Sequence, residues 1–307
     1  MQVVNDEREL GRYLSEVYAE LPGNPSILID AFVEGAKEVD VDALADGERV
    51  VVAGVMEHVE GAGVHSGDSA CITPPVTLSE TVVGTLHDYS VRLAEAIGVR
   101  GLINIQYVVK DDEVLVIEAN PRASRTVPYL SKAIGHPLAK YAALIAAGKT
   151  LADLDFTKTP EPEFYSAKEV VLPFLKFRDV LPVLGPEMRS TGESMGIDPD
   201  PYMAYAKALL GANVRLPDAG TALVLGRGLG DVKADLGALG FTVRDEADNP
   251  DYALLIDTQG TPELRRALEA GVPYVTTADA ARWLVKALGA LREKPLSVHA
   301  LQDLAVS

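Results

Sequence analysis

The sequence predicts a protein of α/β and α+β class. A first part mixes antiparallel hairpins with helices, and a small α/β domain with a mostly parallel sheet follows. Three observations carry this. Residues 39–56 and 102–120 each hold two apolar runs of period two separated by a polar turn, the pattern of strand pairs. A long amphipathic helical pattern, 78–97, lies between them. Beyond residue 214, short apolar strands alternate with helical stretches, as in parallel units with helices on both faces.

In order along the chain, residues 7–20 show helical spacing, with Leu10, Tyr13, Leu14 and Val17 on one face. Leu21-Pro22-Gly23-Asn24-Pro25 ends that helix, and 26–33 reads as a strand. Strands at 39–43 and 49–56 flank the turn Ala45-Asp46-Gly47-Glu48, and 58–70 is a glycine-rich loop. The helix at 78–97 has Thr77 or Ser79 as its cap and Gly98 just past its end. Helices are expected near 128–134, 137–147 and 202–210, with strands and loops over 161–196. The stretch 211–220 reads as a linker, giving domains of 1–213 and 214–307. In the second, strands fall at 222–225, 241–243, 253–256 and 274–275, and helices at 231–239, 262–270 and 278–288. Gly226-Arg227-Gly228-Leu229-Gly230 is a tight strand-to-helix turn rather than a phosphate loop.

The richest chemistry lies in the hairpin 102–120. Leu102, Asn104 and Gln106 share one strand face; on the next strand Val114, Val116, Glu118 and Asn120 point one way. If residues 111–113 form a three-residue loop, Gln106 falls opposite Glu118. A strand face ending in a carboxylate and amide oxygens suits Mg2+ or Mn2+ together with nucleotide phosphates. Arg122 and Arg125 follow at once on a loop and suit a phosphoryl group or a carboxylate. Polar strand ends are common in solvated hairpins. Here the polar set is followed directly by a loop that leads into a helix, which favours a site.

These residues resemble the metal-binding strands of the ATP-grasp fold. The longer resemblance is to the carbamate-phosphorylating half of the carbamoyl phosphate synthetase large subunit. It is carried by Met56-Glu57-His58, by Gly63-Val64-His65-Ser66-Gly67-Asp68-Ser69-Ala70, by Lys168-Glu169-Val170-Val171-Leu172-Pro173-Phe174 and by Leu184-Gly185-Pro186-Glu187-Met188-Arg189-Ser190-Thr191-Gly192-Glu193. The resemblance implies a partial ATP-grasp domain over 1–213. In it Glu118 would bridge two divalent ions shared with Gln106 and Asn120, and Arg122 and Arg125 would orient carbamate and the transferred phosphoryl group. Glu38 would take the ribose hydroxyls of ATP. The backbone near Ala31 and Val33 would read the adenine edge, although Ala31 departs from the usual residue there. Gly63, Val64, His65 and Ser66 would close over ribose and phosphates. Glu60, Asp68 and Glu169 match positions that bind the amines of the activator ornithine.

The part beyond residue 214 resembles, more weakly, the methylglyoxal-synthase-like allosteric domain. There Thr258, Thr276 and Thr277 would meet a nucleotide effector; capping of helices is the plainer alternative. The resemblance further implies partners, namely the rest of a large subunit and a glutaminase small subunit. It also implies that Met1-Gln2-Val3-Val4 falls just after a phosphate-covering glycine loop, so that the chain alone is inactive. The residues leave two other readings open: a different ATP-grasp ligase, and a non-catalytic module sensing ornithine or a nucleotide.

Composition agrees with a cytoplasmic protein. The net charge of −17 argues against nucleic acid and anionic membranes as partners. It is uneven, −14 over the first 213 residues and −3 beyond them. No apolar run is long enough to span a membrane, and the N-terminus lacks the pattern of a signal peptide. Cys71 is the only cysteine and reads as a small buried hydrophobe, not a nucleophile.

Overall fold

The computed structural model describes residues 3–21, 23, 26–177, 180–298 and 300–304. Period-two alternation builds the larger of two sheets. Seven strands lie in the order β5-β4-β1-β2-β3-β6-β7, all neighbours antiparallel. They are β1 (Lys37–Ala45), β2 (Val50–Gly61), β3 (Cys71–Thr73), β4 (Gly101–Lys110), β5 (Glu113–Asn120), β6 (Tyr165–Val171) and β7 (Gly192–Asp198). Along β1, Val39, Val41 and Ala43 join Ile103, Ile105 and Tyr107 of β4 in one apolar layer. Helix α2 (Glu80–Ile97) covers that layer with Val82, Leu86 and Ala94. Ser79 caps α2 and left-handed Gly98 ends it; Thr77 is instead engaged by Glu57.

The alternate residues of β1, Glu38, Asp40, Asp42 and Leu44, face the other way. At the Leu44 end, helices α3 (Val127–Ala133) and α4 (Leu138–Ala146) close a second apolar layer with Leu102, Met56 and Cys71. Towards Glu38 that face opens into a cleft.

Helix α5 (Pro201–Gly211) lies on β6 and β7, and Gly196 permits the approach. A Cβ there would sit 2.0 Å from the Ala204 carbonyl oxygen. The second sheet is parallel, in the order β11-β10-β8-β9. Its strands are β8 (Thr221–Leu225), β9 (Thr242–Arg244), β10 (Leu254–Asp257) and β11 (Tyr274–Val275). Helix α7 (Glu263–Ala270) packs one face, while α6 (Gly230–Ala238) and α8 (Ala278–Glu293) pack the other, as the alternating pattern predicts. Helix α8 meets α5 through Trp283, whose ring lies 5.2 Å from Tyr202 and 5.8 Å from Tyr205. One apolar core therefore runs from β3 and β6 through α5 to the parallel sheet.

The structure departs from the sequence reading in three places. Residues 26–33 form no strand; Leu28 is 83% exposed, and among the described residues no strand pairs with the segment. Strand β2 runs on to Gly61, shortening the glycine-rich loop. The β4–β5 turn has two residues, not three: Asp111 and Asp112 both take positive φ (50° and 62°), as a type I′ turn requires. A bulge between the pairs Gln106–Glu118 and Tyr107–Val116 restores the expected register. Val114 and Val116 consequently lie on the Tyr107 face, and only Glu118 and Asn120 share the face of Gln106.

Helix α1 (Glu7–Glu20) matches its predicted span, capped by Asp6, but buries none of its residues. Among the described residues no helix is long and apolar enough to cross a membrane.

Candidate active site

The open end of the β1 face, the edge of β4 and β5, and the loops 63–67, 122–126 and 186–188 enclose a cleft of about 450 Å³. Gln106 and Glu118 stand opposite one another across β4 and β5, and Asn104 stands opposite Asn120. Asn120 Nδ2 donates to Glu118 Oε1 at 2.8 Å, and Gln106 Nε2 donates to Ser66 Oγ at 2.7 Å. Both amides thus spend a nitrogen on the protein and keep an oxygen for a ligand. One carboxylate and two amide oxygens on one rim form a hard-oxygen donor set that fits Mg2+ or Mn2+ when phosphate and water complete the shell. Among the described residues no group of three or more His, Cys, Asp or Glu side chains is arranged as a metal site. Protein atoms alone would therefore hold a cation loosely here.

The floor is acidic and buried. Burial raises the Glu38 carboxyl to about 7, with nearby His58 opposing and Asp40 and Glu118 reinforcing the rise. Asp42 accepts from Asn104 Nδ2 (2.9 Å), Ser124 Oγ (3.0 Å) and Thr126 Oγ1 (2.6 Å), anchoring the loop that carries the arginines. Its burial still outweighs those bonds and lifts its carboxyl to about 6. His58 Nε2 lies 3.5 Å from Asp40 Oδ2, a charge contact rather than a hydrogen bond.

The roof is made of loops. His65 Nδ1 accepts from the Gly67 amide at 2.9 Å, so the neutral ring carries its proton on Nε2. The His65 amide in turn donates to the Gly185 carbonyl at 2.8 Å. Arg125 Nη1 donates to Ser190 Oγ at 3.2 Å, whereas Arg122, among the described residues, bonds only the neighbouring Ala123 carbonyl and is exposed.

Glu38, Gly63, Val64, His65, Ser66, Gln106, Glu118, Asn120, Arg122 and Arg125 thus line one cleft, as the sequence reading groups them. Ala31 and Val33 do not line it, although the Phe32 ring between them lies beside Gly63. Glu60, Asp68 and Glu169 line a second cavity of about 340 Å³ between the large sheet, α5 and the parallel-sheet lobe. Glu60 accepts from Ser69 Oγ (2.6 Å) and the Ala70 amide (2.8 Å). Asp68 accepts from the amides of Arg189 (2.7 Å) and Ser190 (2.8 Å). Burial, and then the neighbouring Glu60 charge, raise the Glu169 carboxyl.

The three threonines make different contacts. Thr276 lines this second cavity, Thr277 caps α8 by accepting from the Ala280 amide, and Thr258 packs against Gly226. Asp40, Asp42, His58 and Lys168 were given no site role by the sequence reading, although His58 and Lys168 lie within the strings that carry the resemblance. The alternation Glu38-Asp40-Asp42 in an otherwise apolar strand was the available signal. Cys71 is buried and its thiol is pushed up to about 12, consistent with an inert side chain.

Comparison with known proteins gives this geometry a family. The family described as carbamoyl-phosphate synthase L chain, ATP binding domain, matches residues 1–154. The carbamoyl phosphate synthase large chain of Thermus thermophilus is 59% identical over 99% of this chain, which spans 29% of that protein. A relative from Methanocaldococcus jannaschii, the large chain's C-terminal section, is 42% identical over 99% of this chain and 58% of its own length. Among solved structures, the biotin carboxylase domain of a thermophilic 2-oxoglutarate carboxylase aligns with a TM-score of 0.51 at 18% identity. That alignment covers 68% of this chain and 54% of the other, and shows a shared fold. The chain spans under a third of the Thermus relative's length, but by its sequence match it belongs to the carbamoyl-phosphate synthase large-chain ATP-binding family.

Proposed function

We propose that this chain contributes the carbamate-phosphorylating part of an ATP-dependent ligase that makes carbamoyl phosphate from bicarbonate, glutamine-derived ammonia and two ATP. The observation that carries the proposal is the single rim shared by Gln106, Glu118 and Asn120, with Arg122 and Arg125 on the adjoining loop of the same cleft. Mg2+ or Mn2+, when bound, would neutralise charge on the ATP phosphates during transfer. Glu118, Gln106 and Asn120 would hold it.

The side chains then have distinct tasks. Glu38 accepts hydrogen bonds from the ribose hydroxyls, a role open to its ionised form. His65 and Ser66, on the Gly63–Gly67 turn, lie over sugar and phosphates, where His65 Nε2–H donates. Arg125, steadied by Ser190, and the freer Arg122 orient carbamate against the γ-phosphoryl group. No general base is needed, because carbamate already carries the attacking oxygen. The 122–126 loop stays in place through Asp42.

The same reading makes the rest of a large subunit and a glutaminase small subunit the partners, in the cytoplasm. It divides the chain near residue 213 into an ATP-grasp part and a methylglyoxal-synthase-like allosteric part. Ornithine would bind at Glu60, Asp68 and Glu169, where a cation relieves repulsion between buried carboxylates. Thr276 lines the same cavity and would touch that ligand.

The test is a titration of the chain with a fluorescent ATP analogue, with and without Mg2+. Glu118→Gln is expected to remove the Mg2+-dependent gain in affinity, a loss of about tenfold or more. Equal affinity in Glu118→Gln and wild type, and no effect of chelation, would overturn the assignment of the cleft.

A further inference from the structure

Strand β6 alternates across the sheet in a way the site above does not use. Glu169 faces the second cavity, while Lys168, its neighbour, stands on the opposite face beside Cys71 and lines the nucleotide cleft. Lys168 is 2% exposed and, among the described residues, the only buried lysine or arginine. It forms no ion pair with a described carboxylate. Its ammonium instead donates to two backbone carbonyls of one short turn, Ser69 at 2.8 Å and Ser66 at 3.4 Å. Burying an ammonium against neutral carbonyls is a costly arrangement, and it persists where the carbonyls must be held in place.

The two carbonyls belong to opposite ends of that turn. At the cleft end, Ser66 Oγ accepts from Gln106 Nε2 at 2.7 Å. At the other end, Ser69 Oγ donates to Glu60 Oε2 at 2.6 Å in the second cavity. Gln106, Ser66, Lys168, Ser69 and Glu60 therefore form a continuous chain of polar contacts from one cavity to the other. Lys168 is the only member that touches both ends of the turn.

We infer that Lys168 is a positioning residue that locks the 66–69 turn and so ties the state of the second, acidic cavity to the rim of the nucleotide cleft. The inference rests on the nucleotide reading of that cleft. A lysine does this better than a neutral donor because its three N–H bonds radiate from one atom, so a single side chain can hold two carbonyls at once. Loss of the ammonium frees the turn at both ends together. A group that merely filled space would loosen neither end selectively.

The experiment measures amide exchange and side-chain amide resonances by NMR in the full 307-residue chain. Lys168→Met is expected to speed exchange about tenfold at both the Gly67 and the Ala70 amides, to shift the Gln106 side-chain amide, and to weaken nucleotide binding by a similar factor. Lys168→Arg, which keeps charge and donors, is expected to restore most of this. Unchanged exchange at both amides, or a change at one end only, overturns the inference. If Lys168→Met does not fold, Glu60→Gln provides the test with Lys168 in place: the Gln106 side-chain amide must shift, and its constancy overturns the inference. If wild type binds no nucleotide, the reading of the cleft fails while the exchange data still decide the role of Lys168.

Discussion

Asp42 offers a test in which the expected sign opposes intuition. Its carboxylate accepts hydrogen bonds from Asn104, Ser124 and Thr126, and a simple count of bonds would make Asp42→Asn destabilising. The physical balance differs. Asp42 is fully buried, no cation among the described residues pairs with it, and the Asp40 charge acts against its ionisation; its carboxyl rises from an ordinary 3.8 to about 6. An acid whose value is higher in the folded protein binds more protons there than in the unfolded chain. Stability linked to it is full below pH 3.8 and is lost as pH rises through about 6. The loss amounts to about 3 kcal/mol at pH 7.5, an order-of-magnitude value.

Asn has the shape of the protonated acid and no charge to bury. Asp42→Asn should therefore match wild type near pH 4 and become the more stable protein above pH 7. The Ser124 and Thr126 hydroxyls can turn to accept from the new amide, though some hydrogen bonding is lost, so the gain should fall below the full 3 kcal/mol. The assay is urea unfolding of both proteins at pH 4.5, 6 and 7.5, reading the difference in midpoint at constant slope. A difference that does not change with pH, or a loss of stability confined to pH 7.5, would refute the reasoning. It would mean that Asp42 is ionised and net favourable in the folded protein.

Two further outcomes follow from packing and charge. Gly196→Ala should lower stability by about 2 kcal/mol or more, read as a lower urea midpoint, because its Cβ would meet the Ala204 carbonyl at 2.0 Å and the Ala208 amide at 2.6 Å. Ornithine should raise the melting temperature, by the equivalent of about 2.7 kcal/mol at a concentration a hundred times its Kd. Glu169→Gln should reduce that rise, and calorimetry showing no binding at millimolar concentration would remove ornithine from the second cavity.

How much of this was legible in the sequence depends on how local each signal is. Helices α1 and α2 carry their own caps in Asp6 and Ser79, so their starts can be read from a few residues. The opposition of Gln106 and Glu118 was also legible, but through compensating errors. A three-residue loop and a two-residue loop with one bulge give the same pairing, and nothing in Val116-Ile117-Glu118 marks the bulge. What differs is the face of Val114 and Val116, which period-two reasoning assigned wrongly. The segment 26–33 has the composition of a strand but pairs with no strand among the described residues, a condition no local pattern can report. The separate contacts of the threonines, Thr277 on a helix cap and Thr258 against Gly226, likewise depend on how the chain folds and are not written in the local sequence. Lys168 and Asp40 needed the sheet order, since their meaning comes from strands far apart in the chain.

The linker at 211–220 illustrates the same limit on a larger scale. Glycine, proline and a change of pattern mark a turning point in the chain, and the parallel sheet does begin just beyond it at Thr221. Yet the apolar core does not divide there. Helix α5 buries Met203, Ala204, Tyr205, Ala206, Ala208 and Leu209, residues that point in nearly every direction round its axis. It can do so because it is covered twice, by β6 and β7 on one side and by α8 with Trp283 on the other. Small side chains at 204, 206 and 208 allow both layers to approach. Tyr205 then reaches from this helix to Glu169 in the second cavity. A shift of the parallel-sheet lobe must therefore either carry α5 with it or break the core. In the first case it moves the wall of the acid cavity against β6, the strand that also holds Lys168 at the cleft of Gln106 and Glu118. Ligands in the two cavities that favour different positions of α5 would then be coupled, and each would change the affinity of the other by the same factor.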